Sequence, residues 1–147
     1  MNENEIEILL VEDNQEDAEL TLRALRKHNL ANRVKVIPDG EEAMDYIFAE
    51  GEYADREMSY KPRVIFLDLK LPKVSGNEIL KRIKSDERTK QIPVVVLTSS
   101  REEKDLEECY ENGANSFIVK PVDFDKFFNS VVELGLYWMV LNEPPQI

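Results

Sequence analysis

At 147 residues the chain suits one domain, long enough to bury a full core and too short to place a second one beside it. Thirty acidic residues against 19 basic give a formal charge of −11, which argues against direct nucleic-acid binding, since phosphate recognition needs clustered Lys and Arg; cations or basic protein surfaces are the better partners. Cys109 is the only cysteine and His28 the only histidine, which excludes an internal disulfide and any multi-histidine metal site. The acidic amino terminus lacks a signal-peptide pattern and no apolar run approaches the ~20 residues of a membrane span, so a cytosolic protein is expected.

Residues 6–11 (Ile-Glu-Ile-Leu-Leu-Val) form a strand candidate that runs into Glu12-Asp13-Asn14. Asn14 suits the N-cap of a following helix with Ala18, Leu22 and Leu25 at helical spacing, and Arg26, Lys27 and His28 suit its C-terminal turn. His28 reads as a capping cation rather than a catalyst. Residues 33–37 alternate well enough for a second strand. Asp39-Gly40-Glu41-Glu42 signals the next helix, whose inward stripe is Ala43, Met44, Ile47 and Phe48 and whose end is expected near Gly51.

A polar stretch over residues 52–62, with Tyr53 and Tyr60, follows and exceeds the ~2–6 residues of most helix-to-strand connections. It reads as a surface insertion or, alternatively, as a partner contact. Val64-Ile65-Phe66-Leu67 then runs without a polar break into Asp68, as a strand buried on both faces of a parallel sheet does. Ser75-Gly76-Asn77-Glu78 is a capping box for a helix with Ile79, Leu80 and Ile83 inward. Residues 92–97 make a fourth strand ending at Thr98-Ser99-Ser100. Ser100-Arg101-Glu102-Glu103 caps a weaker helix through Leu106, Cys109 and Tyr110 that stops at Gly113, with Cys109 and Leu106 at core spacing. Residues 116–119 are a fifth strand entering Lys120-Pro121, and a last helix runs from Asp123 to about Leu141.

Strand and helix alternate five times with no hairpin signal, which specifies βαβ units and a doubly wound, five-stranded parallel α/β sandwich. In such sheets, ligands sit at the carboxyl ends of the strands. That edge collects Glu12 and Asp13, Asp68, Thr98 and Lys120: three carboxylates, a hydroxyl and an ammonium. The carboxylates repel one another unless a cation neutralises them, and an all-oxygen set without His or Cys suits Mg²⁺. A carboxylate beside Mg²⁺ can attack phosphorus and form an aspartyl phosphate, with metal, Thr98 and Lys120 each free to neutralise one phosphoryl oxygen.

Leu10-Val11-Glu12-Asp13-Asn14, Phe66-Leu67-Asp68-Leu69-Lys70-Leu71-Pro72 with Gly76, Leu97-Thr98-Ser99 and Val119-Lys120-Pro121 together resemble the signature of response-regulator receiver domains, over roughly residues 6–135. The resemblance implies a flavodoxin-like sheet in the order 2-1-3-4-5. It implies that Asp68 accepts a phosphoryl group from the phosphohistidine of a sensor histidine kinase. Asp13, Asp68 and the Lys70 backbone carbonyl then bind Mg²⁺, Glu12 acts through water, and Thr98 and Lys120 contact the phosphoryl. Phe117 matches the aromatic whose rotation accompanies activation, and Lys120-Pro121 matches a cis peptide. The insertion, the Leu71-Pro72 pair and the Tyr137-Trp138 tail are similar to stand-alone regulators that partner phytochrome-type kinases. Lys70 departs from the family pattern, where a small or amide side chain is usual.

A haloacid-dehalogenase-type phosphatase needs a second carboxylate where Lys70 stands, and a flavodoxin-like cofactor site needs a hydroxyl-rich phosphate loop where Glu12-Asp13 stands. A receiver reduced to a binding module would lack a member of the site, and none is missing. The expectation is thus a single receiver domain over 1–147, not an enzyme acting on a separate substrate, with 136–147 as a helical extension and no output domain. Two apolar stripes on the last helix, Phe127, Val131, Leu134, Trp138 and Leu141 beside Phe128, Val132, Leu136 and Val140, suggest a homodimer through residues 127–141.

Overall fold

The computed structural model describes residues 6–27, 33–98, 103–119 and 129. Five short strands, β1 (Ile8–Val11), β2 (Val34–Ile37), β3 (Val64–Leu67), β4 (Val94–Thr98) and β5 (Ser116–Val119), pair in parallel in the order β2-β1-β3-β4-β5. Helices α1 (Gln15–Lys27), α2 (Gly40–Phe48), α3 (Gly76–Ser85) and α4 (Glu103–Glu111) connect them. Every residue of β1, β3 and β4 is buried, which is why these strands read as unbroken apolar runs rather than alternating ones.

The two faces of the sheet own separate cores. Ile8, Leu10, Val64, Phe66, Val95 and Leu97 pack with Ala18, Ala24 and Leu25 of α1. Their neighbours Leu9, Val11, Ile65, Leu67, Val94 and Val96 share a larger cluster with α2, α3 and Cys109 of α4. Alternate residues of one strand thus feed opposite cores, as the two-residue period of a strand requires.

Helix starts follow the local signals. Asn14 Oδ1 accepts from the Asp17 amide at 3.0 Å, Asp39 from Glu42 at 2.7 Å and Ser75 from Glu78 at 3.3 Å, each cap stabilising by about 1 kcal/mol. The α4 stop at Gly113 (φ 99°) closes through the Ala114 amide on the Cys109 carbonyl at 3.0 Å. The expected α4 start at Ser100, the His28 cap, Lys120-Pro121 and the last helix lie outside the described residues.

Three expectations need correction. Helix α2 ends at Phe48, with Ala49 in the left-handed conformation (φ 53°), while Gly51 opens a short 3₁₀ turn, Gly51–Tyr53. Met44 is only partly buried, whereas Tyr46 is 1% exposed, because the insertion folds back over Tyr46. Leu106 is 36% exposed and Tyr110 50%, so α4 reaches the core through Cys109 and not through Leu106.

The insertion is anchored. Arg56 is buried and donates to the carbonyls of Tyr46 (2.7 Å), Ile47 (2.9 Å) and Tyr60 (2.8 Å). It thereby satisfies the carbonyl end of α2, which has no basic residue of its own in the last turn. Tyr53 packs edge-on against Tyr46, with ring centroids 5.2 Å apart, and its hydroxyl donates to Glu42 at 2.8 Å. The Glu42 carboxylate, in the first turn of α2, is therefore held by the insertion.

Candidate functional site

Strand register builds the site. Val11 and Leu67 are direct partners on β1 and β3, so Glu12 and Asp68 leave adjacent strands at the same level. Their backbones remain stitched to the sheet: the Asp68 amide donates to the Val11 carbonyl at 3.0 Å and the Glu12 amide to Ile37 at 3.1 Å. Leu67 pairs with Val96 on the other side, which brings Thr98, fully buried at the end of β4, to the same edge.

Carboxylate oxygens of Glu12, Asp13 and Asp68 lie within 4.8 Å of one another. Glu12 and Asp68 are buried, at 3% and 8% exposure, and Asp13 is open to solvent. Two buried carboxylates beside an exposed one concentrate negative charge at a point that solvent reaches through Asp13, an arrangement that a divalent cation stabilises. The donors are all oxygen, with no thiolate or imidazole among them, so the residues present fit a hard cation such as Mg²⁺ or Mn²⁺. Glu12 also accepts from the Asn14 amide at 3.3 Å, and Asp68 Oδ1 accepts from the Lys70 amide at 3.4 Å. The second contact turns the chain after Asp68 back towards the Asp68 side chain.

That chain, residues 69–75, is tied at both ends. The Gly76 amide donates to the Leu69 carbonyl at 2.9 Å, and a Cβ on Gly76 would overlap the Asp68 carbonyl oxygen; only glycine permits this approach. The Pro72 carbonyl accepts from Val74 at 2.9 Å and from Gly40 of α2 at 3.1 Å. Lys73 adopts φ 70° within the loop, with Nζ 3.9 Å from Asp39.

Of the residues singled out from sequence, Glu12, Asp13 and Asp68 are brought together and Thr98 shares their sheet edge. The Lys70 side chain is exposed beside them, and Phe117 on β5 is half-buried against the larger core cluster. Lys120 falls outside the described residues. Sequence reasoning missed Gly40, whose contact with the loop after Asp68 is non-local, and Arg56, which nothing distinguishes from a surface arginine until the insertion folds.

A strand-end carboxylate triad on a 2-1-3-4-5 parallel sheet is the architecture of a signalling receiver. The chain belongs to the response regulator receiver domain family, whose model matches residues 8–132, and so to two-component phosphorelay signalling. It is 42% identical over 138 residues to the probable methanogenesis regulatory protein FilR2 of Methanothrix harundinacea, covering 94% of this chain and 86% of that one. Response regulator Rcp1 of Synechocystis is 37% identical over 90% of this chain and 88% of its own. The Mn²⁺-bound form of Rcp1 superposes with a TM-score of 0.87 at 34% identity, over 95% and 98% of the two chains. The phosphorylated cyanobacterial phytochrome response regulator RcpA also gives 0.87, at 40% identity over 95% and 97%. Among the described residues no helix is long and apolar enough to cross a membrane.

Proposed function

We propose that Asp68 is the phosphoryl acceptor of a Mg²⁺-dependent receiver that takes its phosphoryl group from a sensor histidine kinase in the cytosol. The observation that carries this is the triad itself: Glu12, Asp13 and Asp68 with their oxygens within 4.8 Å, Asp68 standing at the end of the central strand. Asp13, Asp68 and the Lys70 carbonyl are the ligands this chain offers to the metal, with Glu12 acting through water. When bound, Mg²⁺ neutralises the carboxylates and the incoming phosphoryl oxygens.

An Asp68 carboxylate oxygen forms the new bond to phosphorus as the phosphorus–nitrogen bond to the donor imidazole breaks, and the imidazole takes up a proton. Thr98 donates its hydroxyl to a phosphoryl oxygen, Lys120 pairs with another, and Phe117 changes rotamer as Thr98 moves. The likeness to RcpA, over 97% of that chain, supports a phytochrome-type kinase as the donor. The wide apolar stripe of residues 127–141 supports a dimer, for which sedimentation at micromolar concentration is the test: Trp138→Ala should weaken it, and a monomer throughout refutes it.

Incubation with acetyl phosphate and Mg²⁺, followed by intact mass, tests the acceptor. Wild type should gain one phosphoryl group and Asp68→Asn none. Equal labelling of the variant, or labelling undiminished by a chelator, overturns the assignment.

A further inference from the structure

We infer that Gly40, on a helix that carries no site residue, is a positioning residue for the metal-binding loop after Asp68. The inference rests on the proposed function, since the ligand it positions is the Lys70 carbonyl.

Gly40 is the first residue of α2, and its amide belongs to the set that a helix leaves without an intrahelical acceptor. Rather than facing water, this amide is buried and donates to the Pro72 carbonyl at 3.1 Å. The approach is so close that a Cβ on Gly40 would overlap the Val74 carbonyl oxygen and stand 2.9 Å from Val74 Cβ. The first obstacle is backbone, so no rotamer change in Val74 relieves it; the loop itself has to move. Pro72 and Val74 lie two and four residues beyond Lys70, and Lys73 between them is held at φ 70°, a conformation a lysine adopts only where its surroundings impose it.

The loop is therefore fixed at three points. Asp68 Oδ1 receives the Lys70 amide, Leu69 receives the Gly76 amide and Pro72 receives the Gly40 amide. The first two are local to the strand and helix that flank the loop; the third comes from α2, whose N-cap Asp39 also stands 3.9 Å from Lys73 Nζ. Helix α2 is a firm platform for that contact, because the insertion grips it at both ends, Tyr53 on Glu42 in the first turn and Arg56 on the Tyr46 and Ile47 carbonyls in the last. Groups that orient a metal ligand without touching the metal alter affinity when removed, and Gly40 stands in that relation to the Lys70 carbonyl.

Mn²⁺ binding to the full chain, read by electron paramagnetic resonance of the free ion, tests this with Gly40→Ala. The Kd should rise about 10- to 100-fold, and labelling by acetyl phosphate should be slow at limiting Mg²⁺ but return to the wild-type rate at saturating Mg²⁺. A variant that merely lost stability would bind as wild type in its folded fraction. A folded Gly40→Ala with Mn²⁺ affinity within twofold of wild type overturns the inference.

Wild type supplies the second measurement should the variant not fold. Binding at the Lys70 carbonyl stabilises the closed loop by linkage, so Mg²⁺ should slow hydrogen exchange of the Gly40 amide about tenfold or more. Unchanged exchange at saturating Mg²⁺ overturns it. Wild type that binds no Mn²⁺ sinks both this inference and the proposed function, whereas Mn²⁺ binding with an indifferent Gly40 sinks this inference alone.

Discussion

Arg56 holds Tyr46 twice: its Nε donates to the Tyr46 carbonyl at 2.7 Å while its guanidinium carbon lies 4.5 Å from the centroid of the Tyr46 ring. One side chain thus ends helix α2 and covers the aromatic that the helix buries. Lys35 of β2 reaches the Tyr46 and Tyr53 rings, at 5.6 and 5.2 Å. Tyr46 thus lies within cation–π distance of both a cation of the insertion and a cation of the edge strand, contacts that each add about 0.5–1 kcal/mol or more. Between the two readings open for residues 52–62, the anchored part of the insertion, Tyr53 and Arg56, serves the fold. Tyr60, 51% exposed, remains at its surface.

Arg56→Ala should destabilise the protein by about 2–3 kcal/mol, because it removes charge-assisted hydrogen bonds to the buried Tyr46 and Ile47 carbonyls, of which Tyr46 keeps the longer contact with the Ala49 amide at 3.4 Å. Arg56→Lys should recover less than half of that, since one ammonium cannot reproduce the fork that serves Tyr46, Ile47 and Tyr60 together. Urea unfolding midpoints decide it, and an Ala variant within about 0.5 kcal/mol of wild type would place Arg56 among ordinary surface residues.

Lys84 makes the second prediction. Its Nζ donates to the carbonyls of Ile92 (2.7 Å) and Lys90 (3.2 Å) and to Asn115 Oδ1 (3.0 Å), binding the end of α3 to the connections before β4 and β5. Burial pushes the ammonium down to about 8. In the unfolded chain the group stays protonated to its ordinary ~10.4, so between those values the unfolded state holds more protons and stability rises with pH. Subtracting the stability of Lys84→Met from that of wild type at each pH should leave a term that grows from pH 8 to pH 10. A flat difference would mean that the three acceptors offset the cost of burying the charge.

The fold was legible because its signals are local. Apolar runs of the right length marked β1, β3 and β4, caps at Asn14, Asp39 and Ser75 marked the helices, and their alternation forced a parallel sheet, whose carboxyl edge then gathers Glu12, Asp13 and Asp68. Illegible features depend on chain segments meeting from a distance. Arg56 finds the end of α2 ten residues back, and Gly40 meets a loop more than thirty residues on. Leu106 misled for the opposite reason: helical spacing put it beside Cys109, but α4 buries a stripe too narrow to include both.

Lys70 carries the last prediction, that it lengthens the life of the phosphorylated state. Its amide lies 3.4 Å from Asp68 Oδ1 and its side chain is exposed, so the four-carbon stem starts beside the Asp68 carboxylate, the proposed acceptor. Water that hydrolyses an aspartyl phosphate must approach in line with the bond to Asp68, and a flexible cationic side chain that starts there is long enough to reach that approach. Its ammonium can also pair with a phosphoryl oxygen in the ground state. Stabilising the ground state without an equal gain in the transition state slows a reaction. Lys70→Asn removes both the bulk and the charge, so phosphate loss at saturating Mg²⁺ should be several-fold faster than in wild type, with about 1 kcal/mol of barrier corresponding to a factor of five. Saturating metal keeps any change in affinity out of the comparison. An Asn variant that loses its phosphoryl at the wild-type rate, or more slowly, would show that the ammonium favours the transition state at least as well as the ground state.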